Sequence, residues 1–345
     1  MGTPVSNDAL ALLHRSDVVD LHIDTMIPPR LWGYDVLERH DLGVLRGHFF
    51  GHLDVPRMLE GGLTGAMWSL TTNPFRPAGA RWRVFQKNLE RLRAVVAASQ
   101  GKLQIARNYA EFLAARAAGA HAVLPAIQGG NALSAAPDGV ASIPNTLITR
   151  VTLVHLTNSS LGATSSPFSV FRADKGLTRA GRQMVEQLDA ARIFVDLAHI
   201  HPEGFWQAVE MHDRTLPLIA THTGVCGVRP HWRNLDDRQI RAIADSGGVV
   251  GIIFAGNFLS RSGGPRNVDM VVEHLEHVLK VGGAECPAIG TDFDGAISPP
   301  SDIRSAHGYA CLVDALLRRG HPVEVVEGIL GRNFLMSFKR LRPGS

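Results

Sequence analysis

The chain has 345 residues, of which 45% are hydrophobic and 19% are charged, a composition that allows a globular protein with a sizeable core. Its formal net charge is +3 with scattered basic residues, which argues against nucleic-acid binding, and its three widely spaced cysteines fit neither a disulfide framework nor a zinc finger. Because no apolar run reaches the ~18–20 residues of a membrane span and no secretory signal is visible, we expect a cytoplasmic protein without membrane partners.

Eight apolar runs with the character of buried strands alternate with segments of helical periodicity. The strand-like runs cover residues 18–24, 63–70, 122–128, 150–157, 193–200, 217–223, 249–255 and 287–293. The helical patterns cover residues 81–98, 179–192, 236–247 and 268–283, and Pro322 is expected in the first turn of a further helix. Segment 30–60 fits no single helix and is predicted to be an elaborated first loop.

Strands that alternate with helices predict a parallel sheet, and eight such strands most simply close into a (β/α)8 TIM-like barrel. No internal repeat, linker or composition break is visible, so we expect residues 1–345 to form a single domain. A doubly wound open sheet is the alternative fold, but no glycine-rich phosphate-binding motif follows the first strand.

Polar side chains recur at the ends of the predicted strands. They are His22 and Asp24 on the first strand, Gln128 on the third, His155 on the fourth, His199 on the fifth, His222 on the sixth and Asp292 on the eighth. The C-terminal strand ends of such a barrel meet at one mouth, where the active site lies. Each residue alone would suit a core position, a cap or a turn, but together they predict a metal site. Nitrogen and oxygen donors suit Zn²⁺, with manganese or iron as alternatives.

Other polar residues are weaker candidates for the metal site. Asp20 and Asp196 lie within strands and are candidates to orient metal ligands. His40, His48 and His52 are expected to be loop residues, with an accessory metal ligand as the alternative. No Gly-x-Ser-x-Gly motif is present and no cysteine lies beside an obvious base, which argues against a serine or cysteine nucleophile.

The chain resembles the membrane (renal) dipeptidase family of zinc peptidases from about residue 18 to residue 338. The motifs that carry the resemblance are DLHIDT, DVPRMLEGGLTGAMWS, AIQGGNAL, TLVHLTN, GLTRAG, VDLAH, ATHTG, RNLDD, GGVVG and IGTDFDG. The resemblance implies a (β/α)8 barrel that holds two metal ions and hydrolyses the amide bond of dipeptides. Relatives in this family also suggest a homodimer.

The resemblance implies a metal-binding role for six residues. They are His22, Asp24 and Asp292 for one ion, His199 and His222 for the second ion, and Gln128 at the position of the glutamate that bridges both ions. An amide offers one neutral carbonyl oxygen where a carboxylate offers two anionic oxygens. One alternative is therefore a single ion, and the other is two ions bridged by water. Asp174 and Glu203 are candidates for a compensating acid.

The resemblance also implies roles at the substrate. His155 matches the histidine that faces the reacting carbonyl oxygen, and Arg233 matches the arginine that binds the terminal carboxylate of the substrate. Phe258 stands where the family has a tyrosine near the substrate. Asp292 is expected to take a proton from the attacking water and to deliver it to the leaving amine.

The sequence therefore predicts a metal-dependent hydrolase of dipeptides or similar small amides. Two alternatives remain open at this point. One is a weakened or inactive barrel that binds a small carboxylated ligand, and the other is an amide hydrolase whose substrate is not a dipeptide.

Overall fold

The computed structural model describes residues 5–42 and 46–344, and nine β-strands of this part of the chain form one sheet. The strands are β1 (Val19–Ile23), β2 (Gly65–Thr71), β3 (Leu103–Ile105), β4 (His121–Gln128), β5 (Arg150–Thr152), β6 (Phe194–Asp196), β7 (Ala220–Thr223), β8 (Val250–Ile252) and β9 (Pro287–Ile289). Eight of them lie within or overlap the predicted runs. The sequence pattern misses β3, which has three residues and pairs only with β4.

Helices follow most of the strands. They are α1 (Asn7–Arg15), α2 (Ile27–Trp32), α3 (Val55–Glu60), α4 (Ala78–Ala98), α5 (Tyr109–Ala117), α6 (Arg179–Ala190), α7 (Pro202–Met211), α8 (Asp237–Asp245), α9 (Gly256–Leu259), α10 (Asp269–Gly282), α11 (Tyr309–Arg318), α12 (Val323–Glu327) and α13 (Asn333–Leu341). The four helical patterns correspond to α4, α6, α8 and α10. Pro322 is the residue before α12 and not part of its first turn. Segment 30–60 contains the end of α2 and all of α3, and the described residues between them, 33–42 and 46–54, form no further helix or strand.

The sheet closes into a barrel of eight parallel strands. Its strand order is β6-β5-β4-β2-β1-β9-β8-β7, and β6 and β7 at the two ends are joined by a single parallel bridge between Asp196 and Ile219. The prediction of a (β/α)8 TIM-like barrel is confirmed. Every residue of β1, β2 and β4 is buried, as expected for strands that helices cover on the outside and side chains fill on the inside.

The barrel directs polar residues to one end. His22 is on β1 and Gln128 ends β4, while Asp24, His199 and Asp292 each lie within three residues after the end of a strand. These carboxyl ends and the loops that follow them surround a cavity of about 470 Å³. In the part of the chain described above, no helix combines the length and the apolar character needed to cross a membrane.

Candidate metal centre

Three potential metal ligands converge at the carboxyl ends of β1, β7 and β9. One ligand atom each from His22, His222 and Asp292 lies within 4.8 Å of the other two. Nε2 of His22 is 3.5 Å from Oδ1 of Asp292 and 3.6 Å from Oδ2 of Asp24. All four side chains are almost completely shielded from solvent. The group therefore has the donor types and the compactness that a divalent ion requires.

A glycine permits the close approach of Asp292 and His222. A Cβ atom on Gly290, two residues before Asp292, would lie 1.7 Å from the carbonyl oxygen of Thr221, which is backbone and cannot give way. Only glycine fits at this position. The motif IGTDFD thus contributes to the site twice, through the carboxylate of Asp292 and through the close packing that brings it next to β7.

Unpartnered polar atoms mark the centre of the cluster. Nε2 of His22, Oδ1 of Asp24 and Oε1 of Gln128 are buried without a hydrogen-bond partner among the described residues. Buried polar atoms are normally paired, because leaving one unpaired is costly. A metal ion in contact with these atoms would satisfy them, so the side chains present fit a divalent metal.

His199, His222 and Gln128 form the other half of the cluster. The two Nε2 atoms of the histidines are 2.9 Å apart, and Nε2 of Gln128 is 3.4 Å from that of His199 and 3.3 Å from that of His222. With this orientation the amide donates towards the ring nitrogens, and the reverse orientation would offer a metal its single carbonyl oxygen. Gln128 therefore lies beside both histidines but supplies no negative charge there.

Burial controls the protonation of the ligands. It lowers the pKa of His22, His199 and His222 well below the ordinary value, so the rings are neutral and have lone pairs for a metal. Burial also raises the pKa of Asp24 to about 7, and burial together with the nearby Asp24 raises the pKa of Asp292 well above its usual range. A bound cation would stabilise both carboxylates in their charged form.

A chain of hydrogen bonds fixes the orientation of His222. The hydroxyl of Thr221 donates to Oδ2 of Asp196 at 2.8 Å and lies 2.8 Å from Nδ1 of His222. Because the hydroxyl proton points at Asp196, the oxygen accepts from the Nδ1–H group of His222. The lone pair of that ring is then on Nε2, which faces the cluster. Asp196 thus contacts the candidate ligand His222 through Thr221, and its role in orienting a metal ligand stays a prediction.

Asp20 acts on the backbone of the site. Its carboxylate accepts hydrogen bonds from the backbone N–H of His22, from the N–H and hydroxyl of Thr291 and from the hydroxyl of Tyr309. These bonds join β1 to the residue before Asp292. They support an unusual local backbone, because Asp292 adopts a left-handed conformation with φ of 62°.

A buried arginine below the ligands was not found from the sequence. Arg150 is fully buried inside the barrel, and Nη2 donates to Nδ1 of His22 at 2.9 Å. Its Nη1 lies 3.4 Å from Oδ2 of Asp196. In this metal-free arrangement the proton of the neutral His22 ring is on Nε2. A metal ion at Nε2 would require the tautomer with the proton on Nδ1, and the guanidinium of Arg150 would then turn away from Nδ1. The sequence hints at Arg150 only through its charge at the start of the otherwise apolar run 150–157.

The predicted substrate residues line the same cavity. His155 is beside His199, with ring centroids 4.8 Å apart, and burial lowers its pKa to about 4, so the ring is neutral at pH 7. Arg233 donates from Nη2 to the carbonyl oxygen of His222, while its buried Nε has no described partner. Burial lowers the pKa of Arg233 to about 10, which leaves it charged at neutral pH. Phe258 also faces the cavity.

Several other candidates lie away from the ligands. Asp174 and Glu203 are exposed and do not line the cavity, so neither compensates for Gln128. Cys226 is half-buried, its thiol lies 3.3 Å from the carbonyl oxygen of Asn234, and burial raises its pKa, which disfavours a thiolate nucleophile.

The histidines of the first loop have structural contacts. The ring of His52 is buried; Nδ1 accepts from the backbone N–H of Asp294, and Nε2 is 2.8 Å from the carbonyl oxygen of Gly47. The ring of His40 contacts the carbonyl oxygen of Asp35 and stacks on a tyrosine, and His48 is exposed. These contacts agree with the expected loop role.

An eight-stranded parallel barrel with a cluster of histidines and aspartates at its mouth is typical of metal-dependent barrel hydrolases. Residues 6–342 match the membrane dipeptidase family, peptidase family M19, and the chain therefore belongs to this family. The resemblance noted in the sequence is confirmed.

Solved structures and a curated relative are similar to the chain. The metallopeptidase dipeptidase AC has 26% identity and a TM-score of 0.83, with 95% of this chain and 99% of that chain covered. A metallopeptidase from Rhodobacter sphaeroides bound to a phosphinate mimic of L-Ala-D-Ala has 25% identity and a TM-score of 0.83, with 94% and 99% covered. An uncharacterized protein in the pqqA 5' region of Klebsiella pneumoniae is 36% identical over 170 residues, which are 48% of this chain and 61% of that protein. The chain thus spans less than two thirds of this relative.

Proposed function

We propose that the protein is a metal-dependent hydrolase that cleaves the amide bond of dipeptides. The observation that carries the proposal is the convergence of His22, His222 and Asp292 at the barrel mouth, next to Arg233 in the same cavity. Membership of the dipeptidase family and the similarity to a metallopeptidase that binds a dipeptide mimic support it.

The metal that we propose is Zn²⁺, because all the side chains at the mouth offer nitrogen or oxygen donors. The residues that would hold it are His22, Asp24, His199, His222 and Asp292, together with Oε1 of Gln128. When bound, the ion supplies a water molecule of lowered pKa and polarises the substrate carbonyl group. The neutral Gln128 makes one ion the expected resting content.

The protein side chains would position the substrate and move protons. The guanidinium of Arg233 has an unpartnered Nε–H and suits the free C-terminal carboxylate of a dipeptide. The neutral ring of His155 would donate a hydrogen bond to the carbonyl oxygen as negative charge develops on it. Asp292 would take the proton of the attacking water and deliver it to the leaving amine. Phe258 would form an apolar wall beside the substrate.

We also propose that residues 1–345 act as one domain, in the cytoplasm and as a homodimer. The cytoplasmic location is supported by three cysteines that are all free thiols. The homodimer rests on the resemblance to the family alone, and sedimentation analysis of the purified protein would test it.

The test of the function is a metal-supplemented assay. Protein purified without chelators would be loaded with zinc, manganese or cobalt and incubated with a panel of dipeptides. We expect turnover that Asp292→Asn abolishes and that the exposed control Asp138→Asn retains, with unchanged circular dichroism for both variants. No turnover with any metal would refute the proposal and favour a ligand-binding role, and full activity of Asp292→Asn would refute the assigned base.

A further inference from the structure

A second arginine lines the cavity besides Arg233. Arg30 lies on α2, which follows β1, and its Nη1 donates to the carbonyl oxygen of Thr71 at 2.9 Å. Among the described residues no carboxylate lies within 4.0 Å of its guanidinium. Burial lowers the pKa of Arg30, and the attraction of the more distant Asp24 only partly opposes this. A half-buried cation without an ion-pair partner therefore faces the cavity.

Arg30 and Arg233 approach the metal ligands from opposite sides. Arg30 is hydrogen-bonded to the last residue of β2, and Arg233 is in the loop after β7. In the closed strand order, β2 and β7 are four strands apart in either direction, which is the largest separation that eight strands allow. A ligand that extends from Arg233 across the metal ligands therefore points towards Arg30.

The side of the mouth near Arg30 is basic. Arg76 and Arg91 both lower the pKa of Arg30 further by repulsion. Arg81, in the first turn of α4, contacts the carbonyl oxygens of Asn131 and of Arg76 and, like Arg76 and Arg91, has no carboxylate partner within 4.0 Å in the described chain. The positive end of the α4 dipole adds to this potential.

The charges that line the cavity do not balance once a metal is bound. Asp24 and Asp292 contribute two negative charges, and Arg30 and Arg233 contribute two positive charges, so the side chains sum to zero. A divalent ion leaves an excess of two positive charges, because Gln128 adds none of opposite sign. A dipeptide with an acidic N-terminal residue carries two carboxylates and one ammonium group, so its single net negative charge offsets part of this excess, whereas a dipeptide with uncharged side chains is a neutral zwitterion and offsets none.

We propose that Arg30 is a second carboxylate-binding residue, and that the preferred substrates are dipeptides with aspartate or glutamate as the N-terminal residue. The inference rests on the proposed function, since Arg233 must hold the C-terminal carboxylate. The scissile bond then lies over the metal ligands, and the side chain of the N-terminal residue reaches the opposite wall. Arginine suits the binding of a carboxylate because its planar guanidinium group has further N–H donors besides the one bonded to Thr71.

The test compares Glu-Ala with Gln-Ala on the zinc-loaded protein. The two dipeptides have nearly the same shape and differ by one negative charge. A charge-assisted hydrogen bond corresponds to a factor of about 10 or more, so we expect kcat/KM for Glu-Ala to exceed that for Gln-Ala by about tenfold. The ratio should fall to about one in Arg30→Met, fall partly in Arg30→Lys, and keep its wild-type value in Arg83→Met, which removes an exposed charge from α4 outside the cavity.

The outcomes separate this inference from the proposed function. Hydrolysis of both dipeptides at equal efficiency, or an unchanged ratio in Arg30→Met, overturns the role of Arg30 and leaves the hydrolase intact. If neither dipeptide is hydrolysed, the wider dipeptide panel with the three metals decides the proposed function, and calorimetric titration of the zinc-loaded protein with the same two dipeptides decides the role of Arg30. Tighter binding of Glu-Ala that Arg30→Met removes would support it, and equal affinities would overturn it.

Discussion

Gln128→Glu places a negative charge beside His199 and His222. The side chain lies 3.3–3.4 Å from the Nε2 atoms of His199 and His222, so a carboxylate would lie close to any ion that they hold. A unit charge about 4 Å from a divalent ion contributes roughly 8 kcal/mol at an effective dielectric constant of about 20. Burial of the carboxylate offsets several kcal/mol of this attraction. We expect a net gain of about 3 kcal/mol, or about 100-fold in the affinity of the second ion.

Metal stoichiometry and calorimetry would measure this gain. The wild-type protein should hold one zinc ion per chain after re-equilibration and gel filtration, and Gln128→Glu should hold two. The matched control is Gln86→Glu, which adds the same charge at an exposed position of α4. Two tightly bound ions in the wild type, or the same stoichiometry and affinity in the variant, would refute the electrostatic reasoning.

Three further predictions concern the groups around the ligands. Thr221→Val breaks the link between Asp196 and His222 and should weaken zinc binding by about 10–100-fold in calorimetry, while Thr215→Val at an exposed position should not. The pKa of Asp24 is raised from 3.8 to about 7, so its contribution to the stability of the metal-free fold is present below about pH 4 and lost as the pH rises through 7. Since zinc competes with that proton, the zinc-induced rise in Tm should be larger at pH 7.5 than at pH 5.5, and equal shifts would contradict the assignment. Arg150→Met leaves Asp196 buried without its cation and should lower the free energy of unfolding by about 3 kcal/mol in urea denaturation, whereas a change below about 1 kcal/mol would show that the ion pair is unimportant.

The barrel was predictable because its signals are local. Buried parallel strands appear as continuous apolar runs, and all eight runs correspond to strands of the barrel. The strand β3 was missed because three residues, LQI, are too short to give a pattern. Helix ends also shifted by a few residues, since capping depends on contacts such as the reciprocal bonds of Asp236 and Gln239 at the start of α8.

The sequence predicts which residues lie at the barrel mouth better than it predicts the distances between them. Strand-end positions identify which residues face the mouth, because the fold brings all carboxyl ends together. The compact grouping of His22 with His222 and Asp292 depends on how closely β7 and β9 pack, which follows from Gly290 and not from any spacing in the sequence. Arg150 was missed for a similar reason, since its partners come from other strands. Arg30 is not in a family motif, so only the cavity reveals it.

The single bridge between β6 and β7 makes this joint the weakest in the barrel wall. His199 follows β6 and His222 belongs to β7, so the two histidines stand on either side of the joint with their ring nitrogens 2.9 Å apart. An ion bound by both histidines would hold β6 and β7 together. Because the second ion is expected in Gln128→Glu, we expect zinc to slow amide hydrogen exchange at Leu197 and Ile219, whose N–H groups bond between β6 and β7, more in this variant than in the wild type. Such an ion would then stabilise the closed barrel in addition to its role in the proposed hydrolysis.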